Sequence, residues 1–292
     1  KEPDNPIVLS GTFKGRTTGT PIMIMIENKD AESKSYDPIA TIFRPGHGDY
    51  TYQAKYGIRD YRGGGRASAR ETAARVVAGA VAQLILDRQN IKIHSYTIEL
   101  GNIQARKIDD ISEKNKNDLQ CPDLSAALEM EKKIKTVKKE GDSLGGIVEI
   151  VALNVPPGLG EPVFDKLDAD IAKAMMSIGA VKAVEIGAGI GAPKMRGSKN
   201  NDQILPNGFQ TNHSGGILAG ISNGDDIVTR VHVKPIPSIL KTQQTIDENG
   251  DSVKISTKGR HDICAIPRIN KVCEAMLAIV LADHLLRQKI LS

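Results

Sequence analysis

Residues 69–86 read ARETAARVVAGAVAQLIL, and residues 270–287 read NKVCEAMLAIVLADHLLR. Ala, Val, Leu and Ile fill most of the helical circumference of both stretches. A surface helix keeps one polar face, whereas a helix apolar nearly all round is buried nearly all round. Ser68 stands just before the first stretch and Glu71 three residues after it, the spacing of a capping box. Two such helices, in a chain with many strand-like runs, predict an α+β fold with helices sandwiched between sheets. A basic loop precedes each of them. That pairing points to an internal pseudo-two-fold, although no exact repeat runs through the sequence.

Working outward, strand-like runs rich in β-branched residues and bordered by Gly or Pro lie at 7–13, 21–27, 91–99, 146–155, 181–186 and 227–234. A third helix is predicted over 163–178, with Leu167, Ile171 and Met175 on one stripe. A fourth, over 124–139, is so rich in Lys and Glu that it reads as a solvent-facing helix rather than a binding patch. The intervals 28–65 and 187–216 are rich in Gly, Asn, Asp and Arg and read as long loops. Loops of that length are functional or disordered.

The chain has 292 residues, enough for one large domain or two smaller ones, and it is read as a single domain over 1–292. Aromatic residues make up 3% and Trp is absent, so the core must be built from Ala, Val, Ile and Leu, which lets layers pack closely. The net charge of +4 excludes a generally basic nucleic-acid binder. Cys121, Cys264 and Cys273 are odd in number and lack metal-ligand spacing; this predicts free thiols, buried for Cys264 and Cys273, in a reducing cytoplasm. Nor do the six histidines show metal spacing, so no metal is predicted. No run reaches the length of a membrane span, and no signal peptide opens the chain.

What basicity exists is local. Between Arg44 and Arg75 stand six arginines, one histidine and a glycine triplet, against three acids. Each arginine offers a planar fork suited to carboxylate or phosphate, so the cluster implies a polyanionic ligand. Within it, Ser68 is the predicted N-cap of a helix whose free N–H groups bind anions readily; Arg66 and Arg70 flank it, and a merely capped helix with exposed arginines is the alternative. In KGRHD (258–262), Asp262 can act as a base if burial raises its pKa, or the segment is a surface turn with a local ion pair. In KPIPS (234–238), Lys234 and Ser238 can hold a phosphate, or the prolines simply mark a strand exit. Residues 187–191, GAGIG, fail as a dinucleotide fingerprint because Pro193 follows where a helix must start, and they read as a mobile loop. His213 has no evident triad partner, and His232 lies in a strand pattern and reads as structural.

Taken together, these pieces resemble the chorismate synthase family, of bacterial type. The residues that carry the resemblance are GTFKGRTTGT (11–20), RPGH (44–47), YGIRDYRGGGRASARET (56–72), GDSLGG (141–146), NHSGG (212–216), KPIPS (234–238) and GRHD (259–262). They run in family order over nearly the whole chain. The resemblance implies a β-α-β sandwich, with buried helices between antiparallel sheets, assembled as a homotetramer. It implies the last step of the shikimate pathway: a 1,4-anti elimination of phosphate and the C6 proton from 5-enolpyruvylshikimate 3-phosphate, giving chorismate for aromatic amino acid biosynthesis. The implied cofactor is reduced FMN, with no net redox change.

By the same resemblance, Arg44, Arg70 and Arg260 face substrate or flavin. His47 would protonate or hydrogen-bond the reduced flavin ring. Arg66, Ala67, Ser68, Gly179, Ala180, Ala219 and the turn Lys234, Pro235, Ile236, Pro237 and Ser238 would line FMN. Asp262 would act with flavin N5 in removing the C6 proton. Gly179 stands where the family commonly has Asn, Ala219 where it has Gly, Ala67 where it has Ser and Gly48 where it has Ala. The family's amino-terminal Gly-Glu-Ser-His-Gly motif, whose histidine assists phosphate departure, is not among these residues. The expectation is therefore that preceding sequence is missing and that this polypeptide turns over poorly. Two other readings compete. An anion- or RNA-binding module would stack bases on Tyr50, Tyr52, Tyr56 and Tyr61 beside the arginines. An NADPH-linked flavin reductase is the other; some fungal members of the family use NADP in this way, but no dinucleotide fingerprint occurs here.

Overall fold

The computed structural model describes residues 4–29, 33–62, 68–257 and 262–291. Its helices are α1 (Asp49–Tyr56), α2 (Thr72–Leu86), α3 (Leu124–Lys139), α4 (Leu167–Met176), α5 (Gly197–Asn200) and α6 (Ile266–Leu291). The two apolar stretches are α2 and α6, and they pack against each other. Their backbones touch at Gly79: a Cβ placed there would lie 2.3 Å from Ala275 Cβ and 2.4 Å from Ala275 Cα. Small residues at a crossing are what permit so close an approach.

Beneath the helices lies a five-stranded sheet in the order Ile103–Gln104, Lys92–Leu100, Gly146–Leu153, Ile227–Val233, Val181–Ile186. Every neighbouring pair is antiparallel. Register places Val148 opposite Thr97 and Val231, and Ile150 opposite Ser95 and Thr229. All six are fully buried. Ser95 and Thr97 face α6. Ser95 Oγ donates to the Asn270 carbonyl at 2.9 Å, and Asn270 Nδ2 donates to Thr97 Oγ1 at 3.2 Å. On the opposite side of the sheet, Glu149 accepts from Tyr96 Oη and from Arg230 Nε, both at 2.6 Å. The fold is thus mixed α+β, with helices packed on an antiparallel sheet.

Several sequence expectations change. The middle of α6 has no exposed residue over 272–282, with Cys273, Leu277 and Leu281 fully buried on one face and Met276, Ile279 and Val280 half-buried, whereas in α2 Leu84 is 67% exposed. The helix expected over 163–178 spans only Leu167–Met176. Val163 adopts φ +76°, which no helix accommodates, and Glu161 N donates to the Asp165 carbonyl to close a turn instead. The runs at 7–13 and 21–27 form two-residue strands in small exposed hairpins. Helix α3 is amphipathic rather than solvated throughout, since Ala126, Ala127, Met130 and Val137 are buried. The intervals read as loops carry local structure: α1 lies in the first, and α5 and the hairpin Ile204–Leu205/Gly208–Phe209 in the second. The capping box forms by half. Ser68 Oγ accepts from Arg70 N, but Glu71 pairs with Arg75, and a 3-10 turn over Ala69–Glu71 comes first. The three thiols are free, with Cys121 and Cys273 buried and Cys264 half-buried.

Candidate functional site

The turn Arg44–His47 is closed by a hydrogen bond from His47 N to the Arg44 carbonyl, 3.2 Å, with Gly46 at φ +70°. It leads into α1, whose first residue, Asp49, is 4% exposed. That carboxylate gathers two of the six arginines, Arg44 and Arg59. Arg44 grips it through Nε to Oδ2 at 2.7 Å and Nη2 to Oδ1 at 2.9 Å. His47 Nδ1 lies 2.9 Å from Oδ1, and Arg59 Nη1 lies 3.1 Å from Oδ2. Burial alone raises a carboxyl pKa, but the hydrogen bonds from Arg44 and His47 outweigh it and hold Asp49 far below the usual range. The Arg59 guanidinium also lies over the Phe43 ring, 5.3 Å from its centre, and donates to the Ala40 carbonyl.

The fold brings the Lys234–Ser238 segment to this turn. Lys234 Nζ donates to the Gly46 carbonyl at 2.6 Å, and a Cβ at Gly46 would come within 3.3 Å of Pro237 Cβ. Lys234 N donates to the Ala180 carbonyl at 2.9 Å, so Ala180 and its exposed neighbour Gly179 sit beside the same corner. Ser143 Oγ donates to the Ile236 carbonyl at 2.7 Å. Between these segments opens a cavity of about 270 Å³ lined by Pro45, Gly46, Asp142, Ser143, Lys234, Pro235, Ile236, Pro237, Ile239 and Gln243. Partial burial, and then the nearby Lys182, lower the Lys234 pKa. Ser238 is buried.

Other predicted residues lie elsewhere. Arg70 reaches Asp4 Oδ1 at 2.7 Å and the Glu27 carbonyl at 3.2 Å. Ala219, at φ +51°, occupies the turn of the hairpin Ile217–Leu218/Ile221–Ser222. That hairpin meets the start of α4 through Leu167 N and the Gly220 carbonyl, whereas Ala180 follows the end of α4; the fold does not bring the two together. The Asp262 side chain is 46% exposed and lies 3.1 Å from Arg268 Nη2. The burial on which its reading as a raised-pKa base depends is therefore not met in this chain. Arg66, Ala67 and Arg260, with Lys258, Gly259 and His261, lie outside the described residues.

This geometry weakens the nucleic-acid reading. The Arg44 and Arg59 side chains are 9% and 7% exposed and both are committed to Asp49. They form an internal network rather than a surface that tracks a phosphate backbone. Reasoning from sequence counted Asp49 only as one of the acids diluting the cluster. The available signal was its place two residues after His47 and five after Arg44. Asp142 and Ser143, which line the cavity, were quoted in a motif but given no role.

Comparison with known proteins follows the same lines. The profile of the chorismate synthase family matches residues 1–286. Chorismate synthase of Desulfosudis oleivorans is 64% identical over 292 residues, covering 100% of this chain and 82% of that protein. Chorismate synthase of Desulfatibacillum aliphaticivorans is 63% identical over 288 residues, covering 99% of this chain and 80% of that protein. Among solved structures, a crystal structure of chorismate synthase superposes with a TM-score of 0.78 at 36% identity, over 97% of this chain and 78% of that one.

Proposed function

The chain belongs to the chorismate synthase family, and we propose that it uses reduced FMN to convert 5-enolpyruvylshikimate 3-phosphate to chorismate in the shikimate pathway. The observation that carries the site assignment is the meeting of the Arg44–His47 turn with Lys234 across a cavity. Phosphate-bearing ligands suit this corner because Lys234 brings an ammonium group to the cavity wall. Reduced FMN, when bound, lends electron density that helps expel the substrate's phosphate.

The chain's own residues hold charge and protons. In this reading Lys234 and the Pro235–Ser238 turn hold the flavin, with Gly179 and Ala180 beside them, and Ser68 with Arg66 and Ala67 completes its surround; Ala219, at the other end of α4, has no place in it. His47 hydrogen-bonds the flavin ring. Arg44, Arg70 and Arg260 balance the substrate's carboxylates and phosphate. For Arg44 this role falls to the guanidinium edge not spent on Asp49. Asp262, now paired with Arg268 in solvent, would act together with the flavin in removing the C6 proton. The reading extends to a single domain over 1–292, a homotetramer and a cytoplasmic location. One contiguous hydrophobic cluster supports the single domain. No helix among the described residues is long and apolar enough to cross a membrane.

The test is an anaerobic assay with reduced FMN and 5-enolpyruvylshikimate 3-phosphate, following phosphate release and chorismate absorbance. Asp262→Asn should abolish elimination and largely spare flavin binding. Unchanged turnover in that variant would remove Asp262 from the proton step.

A further inference from the structure

We propose that Asp49 is a positioning residue that fixes the His47 imidazole in the tautomer protonated at Nδ1 and leaves Nε2 as the nitrogen presented to a ligand. This deepens the reading in which His47 meets the flavin ring, and rests on it for its functional consequence only.

The argument runs from donors and acceptors. Asp49 is a buried carboxylate, so it has no proton to donate. Its Oδ2 accepts from Arg44 Nε at 2.7 Å and from Arg44 N at 3.1 Å, and Arg59 Nη1 lies 3.1 Å away. Its Oδ1 accepts from Arg44 Nη2 at 2.9 Å and stands 2.9 Å from His47 Nδ1. A hydrogen bond between Oδ1 and Nδ1 therefore requires the proton on Nδ1. Arg44 Nη2 is 3.1 Å from the same nitrogen. A guanidinium only donates, so this contact would suit a bare Nδ1; the shorter approach to Oδ1, which carries the negative charge, favours the proton on Nδ1 instead. Were Nδ1 bare, its lone pair would face a carboxylate oxygen at 2.9 Å, a repulsive contact in a site with little water.

Among the described residues Nε2 of His47 has no protein hydrogen-bond partner. It accepts a hydrogen bond when the ring is neutral and donates one when the ring is charged, so all proton exchange with a ligand passes through it. The same carboxylate ties the ring to the Arg44 fork and to α1, which limits its rotation. The arrangement repeats a general design, in which a second residue sets which ring nitrogen of a histidine is available.

The experiment is a two-bond 15N–1H correlation spectrum of the protein labelled at histidine, with the His47 signals assigned by their loss in His47→Gln. In the unsubstituted protein the neutral ring should show a protonated Nδ1 and a bare Nε2. In Asp49→Asn the charge-assisted bond is lost, and the tautomer ratio should move towards Nε2–H by about tenfold or more. A protonated Nε2 in the unsubstituted protein overturns the proposal, and so does an unchanged ratio in Asp49→Asn. If Asp49→Asn does not fold, the unsubstituted spectrum decides alone. No flavin enters these spectra, so a failure to bind reduced FMN would overturn the functional reading and leave this result standing.

Discussion

Asp49 turns one part of the arginine cluster from a surface into a framework, because one buried carboxylate accepts from Arg44, shares a hydrogen bond with the His47 imidazole and pairs with Arg59. Its pKa is held below that of the unfolded chain. The stability it contributes is therefore complete above about pH 4, where the unfolded carboxyl ionises, and is lost as the pH falls through the depressed folded value. Asp49→Asn should lower Tm at neutral pH and flatten the acid limb of a Tm–pH curve below about pH 4. An acid limb identical to that of the unsubstituted protein would count against Asp49 as the group that joins Arg44, Arg59 and His47. Cysteines offer a second check at this scale. Burial pushes the Cys264 thiol up to about 11 and raises those of Cys121 and Cys273 as well. At pH 8 the Cys264 thiolate is then roughly a thousandth of its population. A thiol reagent should label the folded protein slowly and all three cysteines quickly in denaturant; rapid labelling of the folded chain would contradict the burial described.

Elements were legible where a period was long and uninterrupted. The apolar stretches at 69–86 and 270–287 became α2 and α6, and the strand read over 181–186 appears as Val181–Ile186. Ends were less legible, because they depend on single backbone angles such as the positive φ of Val163 that precedes α4. What the pattern of α2 does not carry is where another helix crosses it. That crossing is at Gly79, where Ala275 leaves no room for a Cβ. In an isolated helix, Gly→Ala gains about 1 kcal/mol. Here overpacking costs about 1–3 kcal/mol and must separate two backbones, so Gly79→Ala should lower Tm. A rise in Tm would mean that the helices yield at the crossing.

At the scale of the whole molecule, the site exists because Lys234 Nζ meets the Gly46 carbonyl across a separation of 188 residues. Lys234→Ala removes a charged donor from the cavity rim without opening the core. Reduced-FMN affinity should fall about tenfold in an anaerobic titration, with Tm little changed. Undiminished affinity would place the flavin elsewhere. The motifs around Arg44, Ser68, Lys234 and Asp262 were readable from sequence, and they pointed to a family that the comparisons then showed. The sequence by itself determined the two apolar helices, the main strands and that family, because each is written in local spacing or in residues read one after another. Only the tertiary structure decided that the Arg44–His47 turn packs on Lys234, that Ala219 and Ala180 lie at opposite ends of α4, and that Asp49 joins Arg44, Arg59 and His47. Such contacts depend on how the packed core carries distant backbone segments into register, and no local pattern of side chains encodes that.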